Sequence, residues 1–470
     1  MQLLRGQDVV TRTCGTPRLR PSGFSVIRLS SIACGLVLWT CSRAAAQRPT
    51  GAPASVTITH VTVIDGTGAL PMADMMVRIE NGRIAGIENA SKSPLANGTV
   101  TVDGRDRFLI PGLWDMHVHL WEPWPAPALG AWFLSNGIVG VRDMGTPLQR
   151  IRYFRSAFSS PDTPGPRIVA AGPFLDGRRS DPGTVIGVAS DADGHDAVDS
   201  VLSWGGDFIK VLTGIPRPAF FGAAREARRK GVPIVGHLPL AVSPEEASDS
   251  GLRSFEHMFG TALDCAYGSD ATCQSRMHRL ATLDTARLIQ TLRKNDSWQT
   301  PTLAAWHRVL RDQDGARSDD PRLALLPDTV RTVWLADETP TPAGLAEAVR
   351  REAALIAPMH HAGIRFLAGT DFGDPFLFPG ASLHDELANL VAAGLTPTEA
   401  LQSASRDAAI FLGLGDSTGT IAIGKRADLV LLEADPLLDI HRTRQVAAVF
   451  TQGRLFLRAD LDSLIAHGRR

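Results

Sequence analysis

The sequence predicts an α/β protein: a (β/α)8 TIM barrel with a small β-sandwich domain built from both chain ends. Eight short apolar runs alternate with helical stretches through the middle of the 470-residue chain, the pattern of a repeating strand–helix unit. Alternating strand patterns with tight-turn signals stand near both ends. A Gly also closes several helical stretches just before the next apolar run, as a C-terminal cap does.

The elements follow in order. Residues 55–64 (Ser-Val-Thr-Ile-Thr-His-Val-Thr-Val-Ile) alternate apolar with polar or β-branched residues. The pattern recurs at Met76–Glu80, and Asn81-Gly82 then turns the chain into Arg83–Ile87, a strong hairpin signal. Ala427–Leu432 and Val446–Thr451 have the same character, with a turn at Gln452-Gly453. Neither end supplies a core alone, so residues 53–108 and 415–458 are expected to join in one sandwich. Between them, residues 109–414 form the barrel. The eight runs are Phe108–Leu120, Gly137–Met144, Arg167–Leu175, Phe208–Gly214, Val232–Pro239, Ser254–Gly260, Gln299–Ala305 and Ile364–Gly373. Helical material lies between most of them, as at Ala219–Lys230 before Gly231 and Pro342–His361 before Gly363. Polar insertions at 176–196, 262–276 and 312–342 are expected as loops. Those that follow a strand lie over the strand C-terminal ends, where such barrels hold their active sites.

Composition narrows the function. Hydrophobic residues make up 44% and charged residues 21%, which suits a folded chain and not a disordered one. Lys and Arg number 48 against 49 Asp and Glu, without the basic excess of a nucleic-acid binder. Residues 1–46 hold six Arg, no Lys and one acid, Asp8, then the apolar run Leu29–Trp39 and Ala44-Ala45-Ala46. This reads as a secretory signal cleaved near Ala46, and the run is too short to span a bilayer. Export to the periplasm follows. Cys34 and Cys41 sit in poor lipobox-like stretches and leave a lipoprotein anchor as the lesser alternative. The remaining chain carries 42 basic and 48 acidic residues, with no electrostatic reason to seek DNA or anionic membranes. Once Cys14, Cys34 and Cys41 leave with the signal, Cys265 and Cys273 remain, close together in a polar segment. An even pair in an exported chain points to a loop disulfide, with two free thiols as the alternative.

The chemistry stands at the ends of the apolar runs. The first ends Asp115-Met-His117-Val-His119. Residues two apart on a strand face the same way, so both histidines point into the barrel, about 6–7 Å apart, and suit a shared metal. The fourth run places Lys210 between Ile209 and Val211, where a lone charge is costly unless neutralised or paired. Only five of the 48 basic residues are Lys, so an amine here invites a chemical reason. A neutral Lys is a nucleophile that can capture carbon dioxide as a carbamate. The bland alternative is a buried Lys–carboxylate pair. The fifth run ends at His237, the sixth at His257 and the eighth at Asp371. Imidazole and carboxylate are preferred ligands of zinc and similar ions.

The order His-x-His, Lys, His, His, Asp on strands one, four, five, six and eight resembles the amidohydrolase superfamily with a binuclear metal centre. Phe108–His119 and Gly419–Leu432 resemble it as well, and the likeness extends over about residues 55–456. The branch it looks most like is that of the imidazolonepropionase-like and prolidase-like exported bacterial metallopeptidases. The resemblance implies that His117, His119 and Asp371 hold one ion and His237 and His257 the other. Zinc is the expected metal. It further implies that Lys210, carboxylated by CO2, bridges the ions together with a hydroxide. Asp371 takes the proton of that hydroxide as it attacks and passes it to the leaving amine. The implied reaction is hydrolysis of an amide bond in a dipeptide or N-acyl amino acid, with Xaa-Pro and basic-residue dipeptides as candidates. A cyclic amide, a lactone or an organophosphate is the alternative on the same centre, and a non-catalytic metal-binding scaffold a remote one. The oligomeric state is left open.

Two other patterns carry less. Gly419-x-x-x-x-Gly424-Lys425 resembles a phosphate loop, but Arg426 stands where Ser or Thr is needed and a strand follows where a helix should, which argues against a nucleotide. A deaminase-type site would want a Glu shortly after His237, which is followed by Leu-Pro-Leu. For substrate binding, three residues stand out. Arg142 either pairs with a substrate carboxylate or forms a salt bridge to a neighbouring acid. Tyr267 would reach in from its insertion. His384 either lines the mouth or caps the helix after strand eight.

Overall fold

The computed structural model describes residues 55–468 apart from 94–98, 122, 179, 182, 312–318 and 338–341. The expected export signal, with Cys14, Cys34 and Cys41, and part of the 312–342 insertion lie outside the described residues.

Seven of the eight apolar runs supply parallel strands in two arcs. One joins Leu113–Val118, Ile138–Asp143 and Arg167–Ala170; the other joins Phe174–Asp176, Ile209–Val211, Ile234–Gly236, Leu252–Glu256 and Trp298–Thr300, with Val185–Gly187 added at its edge from the 176–196 insertion expected as a loop. The third run breaks near Gly172, at φ 78°, and so belongs to both arcs. The eighth run closes the ring through bridges from Phe366 to Gln299 and from Phe372 to Val118. Leu367 N–H donates to the Gln299 carbonyl, and Met116 N–H to that of Ala368, both at 2.9 Å. Every residue of Leu113–Val118 and Ile138–Asp143 is buried, which is why these strands read as continuous apolar runs.

The first run divides at Gly112. Phe108–Pro111 leaves the barrel for an eight-stranded mixed sheet, where it pairs with Ser55–Val63 on one side and Leu429–Leu432 on the other. A Cβ at Gly112 would lie 2.5 Å from the Val139 side chain. The sheet continues through Met72–Glu80 and Arg83–Asn89 at one edge and through Val446–Thr451 and Arg454–Leu457 at the other. Val56, Ile58, Leu109, Leu429 and Phe450 share a core separate from that of the barrel. Both expected turns form: Asn81-Gly82 and Gln452-Gly453 all take positive φ.

The Arg217–Lys230 helix ends at Gly231, φ 69°, as its sequence predicts. The insertions differ from expectation. Residues 262–276 form a helical hairpin, Thr261–Tyr267 and Asp270–Ala281, the second helix started by the Ser269 hydroxyl accepting from Thr272 N–H. Asp328–Leu335 is helical as well. Polar composition hid these helices: Asp270–Ala281 buries Arg276 alone, and Asp328–Leu335 only Val330 and Trp334. Among the described residues, no helix is long and apolar enough to cross a membrane.

Candidate active site

Strand alternation turns Asp115, His117 and His119 inward together. Asp115 stitches strand one to the eighth run: it accepts from the Thr370 N–H at 3.0 Å and the Thr370 hydroxyl at 2.7 Å, and burial pushes its pKa up to about 7. That register sets Asp371 opposite both histidines, with Oδ1 3.2 Å from His117 Nε2 and 3.3 Å from His119 Nε2. Only glycine fits at Gly369, where a Cβ would lie 2.7 Å from the His117 Cβ.

His257 Nε2 stands 3.9 Å from the other Asp371 oxygen. Its ring lies 4.7 Å from that of His117 and 5.0 Å from that of His237. Lys210 is buried on the neighbouring strand, and its Nζ finds no hydrogen-bond partner among the described residues. The Nδ1 atoms of three imidazoles are engaged behind the cluster: His117 with Glu256 at 2.7 Å, His237 with Thr213 at 3.0 Å and His257 with Thr302 at 2.6 Å. His119 stacks on Trp121, 4.0 Å between centroids. His257, Thr302 and Asp371 all hold left-handed φ, 58°, 52° and 62°, a strained backbone that packing around a site maintains.

Charge follows from burial. It drives His257 down to about 3 and His119 and His237 below their usual range, so these imidazoles are neutral. It would raise Asp371, but the facing imidazoles of His257, His117 and His119 hold that carboxyl well below its usual value. Burial also brings the Lys210 amine down to about 8 against the pull of Glu256 and Asp371. Ligand atoms of His117, His257 and Asp371 lie within 4.8 Å of one another. Neutral imidazoles, an ionised carboxylate and the buried, unpartnered His117 Nε2 and Lys210 Nζ form a donor set that fits divalent cations.

The structure thus brings together all six side chains that the sequence singles out for metal binding. The three substrate candidates lie elsewhere. Arg142 is fully buried beneath the cluster and donates to both oxygens of Glu256, at 2.8 and 3.0 Å; it forms the salt bridge and faces no substrate. His384 neither lines the mouth nor caps its helix. It is buried, bonds the Thr443 hydroxyl at 3.0 Å, and Gly380 stands at the cap. Tyr267 does reach the rim. Its hydroxyl donates to Asp374 at 3.2 Å, and its ring lies 6.5 Å from Trp306, which packs against His257. Arg308 stands beside it, 3.8 Å from Asp374. Cys265 and Cys273 are disulfide-bonded and close the hairpin that carries Tyr267. Lys425 spends its ammonium on its own loop, at the Gly415 carbonyl and the Thr420 hydroxyl, both 2.6 Å away.

Sequence reasoning passed over Glu256, fully buried between Arg142 and His117. Burial would raise its pKa, yet Arg142 and His117 hold it well below the usual range. A Glu closing an apolar run, directly before His257, was the available signal.

A family model described as the amidohydrolase family matches residues 108–456. Among solved structures, bottromycin amidohydrolase superposes with a TM-score of 0.68 at 24% identity, covering 90% of this chain and 91% of that one. A Xaa-Pro dipeptidase with methionine bound in its active site gives a TM-score of 0.65 at 21% identity, covering 86% and 100%. These two likenesses concern the fold. A curated relative, Protein LONG AFTER FAR-RED 3 of Arabidopsis thaliana, is 36% identical over 74 residues, which are 15% of this chain and 12% of that protein's length. Since the family model runs from the first apolar run into the last strands of the mixed sheet, the chain belongs to the amidohydrolase family.

Proposed function

We propose that this chain is a metal-dependent hydrolase that cleaves the amide bond of a dipeptide or an N-acyl amino acid, with Xaa-Pro and basic-residue dipeptides as first candidates. The observation that carries this reading is the convergence of four imidazoles, an ionised carboxylate and an unpartnered buried amine at one end of the barrel. In it, His117, His119 and Asp371 would hold one divalent ion, and His237 and His257 a second. Lys210, an amine that burial has made easier to deprotonate, would take up CO2, release a proton and serve as a further ligand in its carbamate form. Zinc suits this mixture of nitrogen and oxygen donors. Two such ions, when bound, acidify water and polarise a carbonyl.

Asp371 is the general base and then the general acid. It is the carboxylate that faces the Nε2 atoms of His117, His119 and His257, and 15% of its side chain is exposed at the mouth, so a proton can reach it and leave it. Tyr267, Trp306 and Arg308 crowd the rim, which favours a small substrate over a long peptide. The names of the two structural relatives, a Xaa-Pro dipeptidase and an amidohydrolase, point the same way. The test is metal analysis of the purified protein followed by a screen of dipeptides and N-acyl amino acids. About two ions per chain and turnover of one of these classes are expected. One ion or none would undo the two-metal reading, and turnover confined to lactones or organophosphates would move the substrate class. We propose also that the protein is exported to the periplasm: the amino-terminal pattern supports it, as does a disulfide of a kind rare in reducing compartments.

A further inference from the structure

Arg142 and Glu256 form an ion pair inside the barrel, where packed apolar side chains are the rule. Arg142 stands on strand two and Glu256 on strand six. The Arg142 Nε donates to the Met116 carbonyl at 2.6 Å, and its Nη2 reaches both Glu256 oxygens and the Thr300 hydroxyl, the last at 3.3 Å. The Ser254 hydroxyl donates to Oε1 at 2.6 Å. The remaining neighbour of Oε2 is His117 Nδ1, at 2.7 Å. A buried ion pair is a poor source of stability compared with apolar packing, so this one calls for another role.

A carboxylate held beside a guanidinium can only accept hydrogen bonds. His117 Nδ1 must then carry a proton, which leaves Nε2, 3.2 Å from Asp371 Oδ1, as the ring's one nitrogen open to an ion. We infer that Arg142 and Glu256 act together as positioning residues that lock His117 in the Nδ1–H tautomer, keeping its Nε2 ready for a metal ion. The inference rests on the metal centre proposed above and adds the device that prepares one of its ligands.

Glu256→Gln tests it sharply. While Arg142 is present, the carbonyl oxygen of the new amide turns to the guanidinium, and the NH2 group turns to His117 and donates to Nδ1. The proton then moves to Nε2 and the ligand lone pair is lost. Affinity for the ion that His117 would hold is expected to fall about 10- to 100-fold, the range for losing such a supporting partner. Nitrogen NMR of the metal-free protein, labelled at histidine, is expected to show a proton on His117 Nδ1 in the wild type and its loss from Nδ1 in this variant. The double variant Arg142→Gln/Glu256→Gln frees that amide carbonyl to face His117, so the Nδ1–H form and much of the affinity return although stability does not. Glu256→Asp keeps an acceptor and is expected to keep the Nδ1–H form, which covers a double variant that fails to fold. Wild-type protein with no proton on His117 Nδ1, or Glu256→Gln that keeps that proton and an unchanged affinity, would overturn the inference. So would a foldable double variant that binds metal no better than the single one. Wild-type protein that takes up no metal would instead count against the proposed function, and the metal-free NMR would still judge the tautomer.

Discussion

Asp371 sits in a left-handed backbone conformation just past the closing strand of the barrel, in contact with three imidazoles. Asparagine tolerates that conformation better than most residues and has nearly the same shape, but it carries no charge and takes up no proton. Asp371→Asn is therefore expected to fold normally by circular dichroism and to lose about 10²- to 10⁴-fold in kcat, the usual worth of a positioned acid–base group. Activity within tenfold of wild type would remove Asp371 from that role. The histidines were legible at this scale because residues two apart on a strand share a face. Glu256 was not. Alternation predicts that it and His257 point apart, and the left-handed φ of 58° at His257 cancels that rule. Arg142 and His384 were visible as polar residues, but their partners lie 114 and 59 positions away, beyond the reach of any local pattern.

Two buried carboxylates join neighbouring helices around the mouth. Glu352, from helix Leu345–Ala353, accepts from the Thr261 and Ala262 N–H groups at 2.9 and 3.1 Å and so caps the first helix of the rim hairpin. Glu386, from helix Ala381–Ala392, accepts from Ala304 N–H at 2.7 Å and caps the helix that carries Trp306 and Arg308. Burial pushes Glu352 up to about 7 from 4.5. The folded state then binds this proton more tightly than the unfolded chain does, so its contribution to stability is complete below about pH 4.5 and is lost as pH rises through 7. The pKa difference corresponds to about 3 kcal/mol over that window. Glu352→Gln keeps an acceptor for the helix terminus and has no proton to lose. Denaturant unfolding from pH 5 to 8 is expected to show a flatter stability curve for this variant; parallel curves would contradict the assignment. Repeating strand and helix periods, with Gly231 and Gly363 as stops, made the barrel readable. The rim hairpin escaped because its first helix is capped by a carboxylate from a distant helix and its second buries Arg276 alone.

At the scale of the whole molecule, the first strand among the described residues begins at Ser55, so cleavage near Ala46 would spare every described strand of the mixed sheet. The intact mass of protein recovered from the periplasm is expected to match a chain starting near Gln47. A full-length mass, or a lipid-modified cysteine at the amino terminus, would refute that processing. The turns at both ends could be placed from Asn-Gly and Gln-Gly alone, whereas the seating of Phe108–Pro111 between the two ends needed the close approach at Gly112. That seating has a temporal consequence. Arg107 and Glu433, bonded side by side, are 326 positions apart in the chain. One flank of Phe108–Pro111 therefore stays bare until the last tenth of the polypeptide has been delivered. A nascent molecule is thus kept from completing this sheet early, and every product truncated before Leu429 would carry an open seam that neighbouring chains could invade.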